Sequence, residues 1–242
     1  MRSPGPDADV RFGVVVPVYN EPRLARLLRR FDFAATPRVT VVDDASTDGS
    51  TAVARDFPVT LLRHERHAGV GAAIRTGLMH LKAEAFPIAV VMAGNDKDDP
   101  REIPALVAAV QQGADYVQGS RYAVAANARG TPLQRRIITR AVALLWSARF
   151  RRVLTDVTNG FRAYRLSILD DPRLDLSQEW LDRYELEYYV HYKVLSLGYR
   201  YVEVPVAKHY PSDGLPTSKI RLFRDYWSLL RPLVLLSLHL RR

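Results

Sequence analysis

The segment IAVVMAGNDKDDP, residues 88–100, decides the fold and indicates where to look for chemistry. Its first half is a short apolar run, which is typical of a strand buried on both faces of a parallel sheet. The run ends at Gly94, and three carboxylates follow within four positions, at Asp96, Asp98 and Asp99. Because ligands of open α/β sheets bind beyond the carboxyl ends of the strands, this acid-rich turn is the first candidate site.

A helix is predicted directly after this turn. Asp99 is a suitable N-cap, Pro100 suits the first helical position, and Glu102 follows the cap by three residues, the spacing of a capping box. We therefore expect Asp99 to be occupied in capping, so that Asp96 and Asp98 remain the free acids of the turn.

Strand and helix patterns alternate on both sides of the segment. Further strands are predicted at residues 12–17, 39–42, 59–62, 115–118 and 201–206. Helices are predicted after residue 22, after residue 50, and at residues 70–81, 100–112, 131–150 and 181–197. This rhythm indicates an α/β fold with a doubly wound, mostly parallel sheet and helices on both faces. We expect a disordered lead over residues 1–10, one domain over residues 11–218, and a basic and apolar segment over residues 219–242.

Composition narrows the function classes. The 242 residues include no cysteine, which excludes a disulfide framework and thiolate metal sites and fits a reducing compartment. Lys and Arg number 35 against 26 Asp and Glu, a net charge of +9 that predicts a polyanionic partner such as a nucleotide, a lipid phosphate, an anionic membrane or a nucleic acid. The apolar runs are shorter than the ~20 residues of a membrane span, so we expect a cytoplasmic protein that is at most peripheral at the membrane.

Five motifs, in order, resemble the signatures of family 2 glycosyltransferases with the GT-A fold. The first three are VVVPVYNE at residues 14–21, VDDASTDGS at residues 42–50 and GAAIRTG at residues 71–77. The last two, GSRY at residues 119–122 and TNGFRAY at residues 158–164, are similar to the dolichyl-phosphate mannose synthase branch. The resemblance spans nearly the whole chain and implies a nucleotide-sugar-dependent transferase.

This resemblance implies a donor site at the ends of the first two strands. It assigns the nucleoside to Pro17, Tyr19, Glu21 and Asp44, and a carboxylate can accept a hydrogen bond from a base N–H or a ribose hydroxyl. It also implies that Gly71 lets the backbone approach the nucleotide and that Arg75 lies near the phosphates. Two alternatives stay open: an ordinary capping turn around Asp44, and a solvated arginine at a helix N-terminus for Arg75.

The resemblance further implies a bound Mg²⁺ or Mn²⁺, and here the sequence departs from the family. The family's Asp-X-Asp metal motif is replaced by Ala93-Gly94-Asn95. An Asn oxygen still ligates these cations but adds no charge, so Asp96 or Asp98 would have to supply a carboxylate. The alternative for each acid is a solvated turn.

The segment DVTNGFR, residues 156–162, corresponds to the acceptor side of the family. A hydroxyl acceptor needs a general base, for which Asp156 is the candidate. A lipid-phosphate acceptor is already anionic and needs cations, which Arg121, Arg162 and Lys219 would supply, with Thr158 beside them. The structural alternative is a buried ion pair between Asp156 and Arg162.

The C-terminal segment offers two further predictions. Lys219 follows a serine, as in a Ser-Lys pair of the family, and is assigned to diphosphate or acceptor-phosphate contact, with Lys208 as a weaker candidate. Beyond it, arginines flank an aromatic and aliphatic face in which Pro232 should break or bend a helix. This pattern predicts a segment that lies on an anionic membrane surface at its inner face, or else a terminal helix packed on the core.

The sequence as a whole predicts a glycosyltransferase. It would move a sugar from a nucleotide-sugar donor to a polyprenyl-phosphate, lipid-linked or surface-glycan acceptor, with inversion and with a divalent cation. A non-catalytic sugar-nucleotide-binding protein is the first alternative, because the metal motif is altered. A nucleotidyltransferase is the second, although residues 18–21 lack the glycine-rich basic loop such an enzyme carries. Nucleic-acid binding is not expected, since the basic residues are scattered.

Overall fold

A seven-stranded mixed sheet forms the centre of the molecule. The computed structural model describes residues 11–124, 131–210, 213 and 226–241. Within these ranges the strands are β1 (Phe12–Val18), β2 (Val39–Asp43), β3 (Thr60–Arg63), β4 (Ile88–Val91), β5 (Tyr116–Ser120), β6 (Arg162–Arg165) and β7 (Tyr201–Pro205). The helices are α1 (Leu24–Leu28), α2 (Val70–Ala83), α3 (Ile103–Gln111), α4 (Leu133–Phe150), α5 (Glu185–Ser196) and α6 (Tyr226–Ser237). The sheet order is β3-β2-β1-β4-β6-β5-β7.

Two apolar cores lie on opposite faces of the sheet. Along β1, Val14 and Val16 enter the core formed with α1 and α3, whereas Val15 enters the core formed with α2, α4 and α5. Successive side chains of a strand point to opposite faces, so a strand between two helical layers is apolar on both. The predicted α/β fold with helices on both faces is therefore confirmed, and the apolar run of β4 is buried throughout.

One strand was missed. The strand β6 runs antiparallel between β4 and β5, with Arg162 opposite both Val91 and Gln118. Its sequence is RAYR, and charged residues at both ends conceal a strand whose first three residues are buried. The sheet is thus mostly parallel, with β6 joining its two halves.

The end of the chain packs on the core. We expected Pro232 to break or bend a helix, and α6 continues across it without a break. Leu236 of α6 is buried, and Arg231 forms an ion pair of 3.3 Å with Glu185 at the start of α5. Of the helices that the structure describes, none is long and apolar enough to cross a membrane.

Candidate active site

The carboxyl ends of β1, β2 and β4 meet at one edge of the sheet. Gly94, just beyond β4, packs so closely on β1 that an added Cβ would lie 2.4 Å from a methyl group of Val18. Pro17 pairs in register with Val42 near the end of β2. The structure thus brings together the first two signatures and the acid-rich turn, as the sequence predicted.

The carboxylate of Asp44 is buried and accepts three hydrogen bonds. One oxygen accepts from His64 Nδ1 at 2.8 Å and from the backbone N–H of Ala68 at 2.9 Å. The other accepts from the N–H of Gly69 at 2.7 Å and lies 2.8 Å from His67 Nδ1. A carboxylate has about four acceptor positions, and His67 lies beside the remaining one. Because His67 is half-exposed, a nucleoside would reach Asp44 from its side.

An aromatic pair covers Asp44. The ring of Tyr19 stacks on His67 with 3.9 Å between ring centroids. The loops after β1 and β2 are joined next to this pair, because Asn20 N–H donates to Ser46 Oγ at 2.9 Å and Glu21 N–H to a serine hydroxyl at 3.0 Å. Tyr19, Glu21 and Asp44 therefore share one corner of the sheet edge.

The third signature is placed differently from the prediction. A Cβ on Gly71 would lie 2.0 Å from the carbonyl oxygen of Leu181, so the close approach that glycine allows is to the protein's own backbone. Arg75 donates to the carbonyl of Leu176 at 3.0 Å and to Asp182 at 2.6 Å. Both residues fasten α2 to the segment before α5, and that Gly71 meets the nucleotide and Arg75 its phosphates stays a prediction.

The acid-rich turn is only partly as predicted. Asp99 caps the following helix by accepting from the N–H of Arg101 at 3.0 Å, which confirms its assignment. Glu102 does not close a capping box, because its carboxylate accepts from the N–H of Ala207 at 2.8 Å. The turn is thereby joined to the segment after β7.

The other two acids of the turn are not free, which corrects the prediction. Asp96 is buried and forms ion pairs with Arg26 and, at 2.6 Å, with Arg30 of the segment that follows β1. Asp98 is fully buried, and the ammonium of Lys208 lies 2.8 Å from it. Each carboxylate is thus neutralised by the protein's own cations.

The predicted metal ligands do not converge. The side-chain oxygen of Asn95 accepts a 3.3 Å hydrogen bond from the N–H of Lys97, while Asp96 and Asp98 lie against cations. Among the described residues, no group of three or more His, Asp or Glu side chains could hold a metal ion. The residues at this turn do not fit a divalent cation.

Lys97 is a site residue that the sequence reasoning missed. Its side chain is only 4 % exposed, and its ammonium lies 5.8 Å from the ring centroid of Tyr210. Burial lowers the pKa of Lys97 to about 8, with smaller contributions from the nearby cations Lys208, Arg135 and Arg23. The sequence contained a signal, because a lysine within an acid-rich turn is an unexpected residue where a divalent cation would bind.

The acceptor-side residues form a buried network. Arg121 makes a bidentate ion pair with Asp156, at 2.6 and 2.8 Å, and donates to Thr158 Oγ1 at 2.6 Å. Burial by itself would raise the pKa of Asp156, but the charge and hydrogen bonds of Arg121 outweigh it and lower that pKa. Asp156 is fully buried and paired with Arg121, an arrangement that does not favour a general base, and that role stays a prediction.

Arg162 is not available to a ligand. It is fully buried and donates to the backbone carbonyls of Val157, Asn159 and Glu187 at 2.6–3.1 Å. The alternative of an Asp156–Arg162 ion pair is also wrong, because Asp156 pairs with Arg121. Arg162 is a structural residue that joins β6 to α5. Lys219, the third predicted catalytic residue, lies outside the described residues.

The mixed sheet, which has one antiparallel strand in the described part of the chain and polar residues at its carboxyl edge, is the GT-A fold of nucleotide-sugar transferases. The chain belongs to glycosyl transferase family 2, whose sequence model matches residues 13–172.

Two curated relatives match most of the chain. A polyprenol monophosphomannose synthase from Mycolicibacterium smegmatis is 29% identical over 201 residues, which cover 80% of this chain and 75% of that protein. An undecaprenyl-phosphate mannosyltransferase from Micrococcus luteus is 31% identical over 204 residues, which cover 81% and 83%. These names agree with the branch that the last two motifs resemble.

A solved structure has the same fold. Glucosyl-3-phosphoglycerate synthase from Mycobacterium tuberculosis, crystallised with Mn²⁺, UDP and phosphoglyceric acid, superimposes with a TM-score of 0.68 at 19% identity, covering 96% of this chain and 78% of that chain. Another crystal structure of that enzyme contains Mg²⁺ and UDP. At this level of identity the likeness establishes the fold.

Proposed function

We propose that this protein transfers a sugar from a nucleotide-sugar donor to a polyprenyl phosphate, with inversion at the anomeric carbon. The proposal rests on how the charged residues at the acceptor side are paired. The candidate general base, Asp156, is locked by Arg121, whereas buried cations lie close to the same strand ends. A hydroxyl acceptor would need a base, but a phosphate is already an anionic nucleophile. The names of the curated relatives support the same acceptor.

The proposed reaction is a single in-line displacement. An oxygen of the acceptor phosphate forms a bond to the anomeric carbon while the bond from that carbon to the donor diphosphate breaks. The electron pair of the broken bond stays on the diphosphate, and no proton has to move. The protein's task is to hold both anions near each other and to offset the charge that develops on the leaving group.

The family implies a divalent cation for this task, and solved relatives contain Mn²⁺ or Mg²⁺. The side chains of Asn95, Asp96 and Asp98 do not fit one here, because each is already bonded within the protein. No step of the proposed reaction is therefore assigned to a metal.

We also propose that the protein binds an anionic membrane surface at the cytoplasmic side, where a polyprenyl phosphate would be presented. The outer face of α4 supports this. Leu133, Ile137 and Leu144 are each at least 60 % exposed, at spacings that place them on one helix face. The helix contains no acidic residue, and Arg140 is exposed on the same face as these apolar residues. Basic residues around an exposed apolar face suit an interfacial helix.

The test is a transfer assay with a panel of guanosine and uridine diphosphate sugars and a short-chain polyprenyl phosphate. We expect a glycosylated lipid phosphate with one donor, detected by mass spectrometry, and an inverted anomeric configuration by NMR. Donor binding without transfer to any lipid phosphate would instead favour a sugar-nucleotide-binding protein. Transfer only to hydroxyl acceptors would refute the proposed acceptor.

A further inference from the structure

We propose that the ammonium of Lys97, with Lys208 beside it, binds the donor diphosphate, so that donor binding in this protein needs no divalent cation. The inference rests on the proposed function and identifies the charge that would hold the leaving group. At the end of β4 the family's acidic motif is absent, and the buried residue Lys97 lies two residues after Asn95.

Of the cations that the structure describes at this site, Lys97 has no carboxylate within ion-pair distance. Lys208 lies 2.8 Å from Asp98, Arg121 lies 2.6 Å from Asp156, and Arg23 lies 2.7 Å from Asp213. No hydrogen-bond acceptor reaches the ammonium of Lys97 among the residues described, and its neighbour is the ring of Tyr210. Burying an unpaired ammonium is costly, so a structure retains one where an anion binds.

Other polar groups lie near Lys97. The ring centroid of Tyr210 is 5.8 Å from its ammonium, and the buried hydroxyl of Tyr210 faces the buried hydroxyl of Thr131 closely enough for Thr131 to help lower the pKa of Tyr210. Within the described residues, neither hydroxyl completes a hydrogen bond of good geometry. Two hydroxyl groups and an ammonium are all suitable donors to phosphate oxygens, so all three can donate to a bound diphosphate.

The segment that contains Lys208 holds the backbone of Lys97. The ammonium of Lys208 is held by Asp98 and, at 2.7 Å, by the side-chain oxygen of Asn159. The next residue, His209, donates its N–H to the carbonyl of Lys97 at 2.8 Å. The turn after β4 and the segment after β7 are thus joined at Lys97, which places the Lys97 backbone and the Lys208 ammonium before any ligand arrives.

A lysine pair can perform the electrostatic part of a metal's work. An ammonium is a compact point charge and a common ligand of phosphate. A fixed positive charge stabilises the diphosphate as it leaves, and fixed charges need no reorganisation when the bond breaks. The carboxylates of a metal site like that of the family would neutralise the charge of Lys97. Here the nearby acids are paired with other cations instead: Asp96 with Arg26 and Arg30, and Asp98 with Lys208.

The decisive experiment is calorimetric binding of GDP and UDP to the full chain, in excess chelator and again with Mn²⁺. We expect the wild-type protein to bind one of them with the same affinity in both conditions. Lys97→Met should weaken that affinity by about 10- to 100-fold, since a hydrogen bond to a charged group contributes about 1.5–3 kcal/mol. Lys82→Met, which removes a charge on α2 that pairs with Asp170, is the matched control and should leave the affinity unchanged.

A stability measurement separates binding from folding. Because Lys97→Met removes an unpaired buried charge, its Tm should be equal to or higher than that of the wild type while nucleotide affinity falls. An affinity gain of about tenfold or more from Mn²⁺, or full affinity in Lys97→Met, would refute the inference and leave the proposed function intact. Should Lys97→Met fail to fold, the wild-type comparison with and without Mn²⁺ decides alone. Absence of nucleotide binding by the wild-type protein in both conditions would count against the proposed function itself.

Discussion

The carboxylate of Asp44 holds together the loop that leads into α2. His64 and two backbone N–H groups donate to it, His67 lies 2.8 Å from it, and its side chain is almost completely buried. His64 is fixed further by a 2.9 Å hydrogen bond between its Nε2 and Thr76. Removing the carboxylate would leave several partly or fully buried donors without an acceptor, and each such group carries a desolvation cost.

We expect Asp44→Ala to lower the free energy of unfolding by about 3–5 kcal/mol, the range found when one partner of a buried ionic network is removed. Urea denaturation monitored by circular dichroism measures it. Asp32→Ala is the control, because Asp32 also accepts from two backbone N–H groups but is exposed. Equal losses in the two variants would mean that Asp44 does not organise this loop, and nucleotide binding would then be its remaining role.

His191 gives the fold a dependence on pH. It is fully buried, neither ring nitrogen has a hydrogen-bond partner among the described residues, and its ring packs on Tyr116, Trp146 and Tyr201. Burial holds the pKa of His191 well below its ordinary value, and Arg162 and Arg152 lower it further. The imidazole therefore stays neutral in the folded protein at pH values where it would be charged in the unfolded chain.

The direction of the effect follows from proton binding. Below the unfolded pKa of about 6.5, the unfolded chain takes up a proton that folded His191 refuses, so stability falls as pH decreases. We expect His191→Phe to remove up to about 1.4 kcal/mol per pH unit of this slope between pH 6.5 and 5. Urea denaturation across that range measures it. His239→Asn, at an exposed position with φ of 55°, should leave the slope nearly unchanged, and equal slopes in all three proteins would contradict the assignment.

At the scale of elements, the sequence predicted those strands and caps that depend on residues close together in the chain. The strands β1, β2 and β4 are apolar runs buried on both faces, and the cap at Asp99 bonds to a residue two positions away. The strand β6 was hidden because its ends are arginines, whose burial depends on acceptors supplied by other segments.

Several predicted site residues have distant partners. Asp96 and Arg26 are 70 positions apart, and Asp98 and Lys208 are 110 positions apart. No local pattern predicts such a pair, so both acids read as free carboxylates in the sequence. The ion pair of Asp156 was missed for the same reason, since Arg121 lies 35 positions before it. The long-range ion pairs show how each of these side chains is held, and their roles in binding and catalysis stay predictions.

The start of α2 is the element most sensitive to a small substitution. The backbone of residues 181–183 lies directly against it, and Ala72 N–H donates to the carbonyl of Asp182 at 3.0 Å. A Cβ at Gly71 would lie 2.0 Å from one backbone oxygen and 2.3 Å from another, and backbone atoms have little freedom to move aside. The steric conflict therefore has to be relieved by separating α2 from this segment.

We expect Gly71→Ala to lower the free energy of unfolding by about 2–3 kcal/mol through overpacking. Gly198→Ala is the control, because nothing lies within 4 Å of its added Cβ and only the strain of its φ of 79° remains, at about 1–2 kcal/mol. Thermal and urea unfolding of both variants would compare them. A smaller loss of unfolding free energy for Gly71→Ala than for Gly198→Ala would contradict this, because it would mean that α2 and residues 181–183 move apart at little cost.

At the scale of the whole molecule, the basic residues behind the net charge of +9 lie in two different settings. Among the described residues of the site, most cations are paired with carboxylates, and Lys97 is the charge we propose for the donor diphosphate. On the surface, α4 combines exposed arginines with exposed apolar side chains. Thr139 of α4 is joined by a 2.7 Å hydrogen bond to Tyr122, the neighbour of Arg121, so this surface adjoins the proposed acceptor side.

The last prediction concerns this surface of α4. Replacing Ile137 and Leu144 by Asp removes two exposed apolar side chains and adds two negative charges beside the arginines. Each basic residue near an anionic surface contributes about 1 kcal/mol, and the new acids oppose that attraction. We expect binding to vesicles of phosphatidylcholine and phosphatidylglycerol to fall by about tenfold or more in a flotation assay at low salt.

A matched double variant separates location from charge. Leu61 and Met79 are also exposed apolar residues, on β3 and α2, and replacing both by Asp changes the net charge by the same amount. This control should keep most of its vesicle binding, because the substitutions lie away from α4. Equal losses of vesicle binding in the two double variants would show that the membrane attraction depends on net charge alone. Vesicle binding that survives the α4 substitutions undiminished would move the contact elsewhere, with the C-terminal segment from Lys219 as the next surface to test.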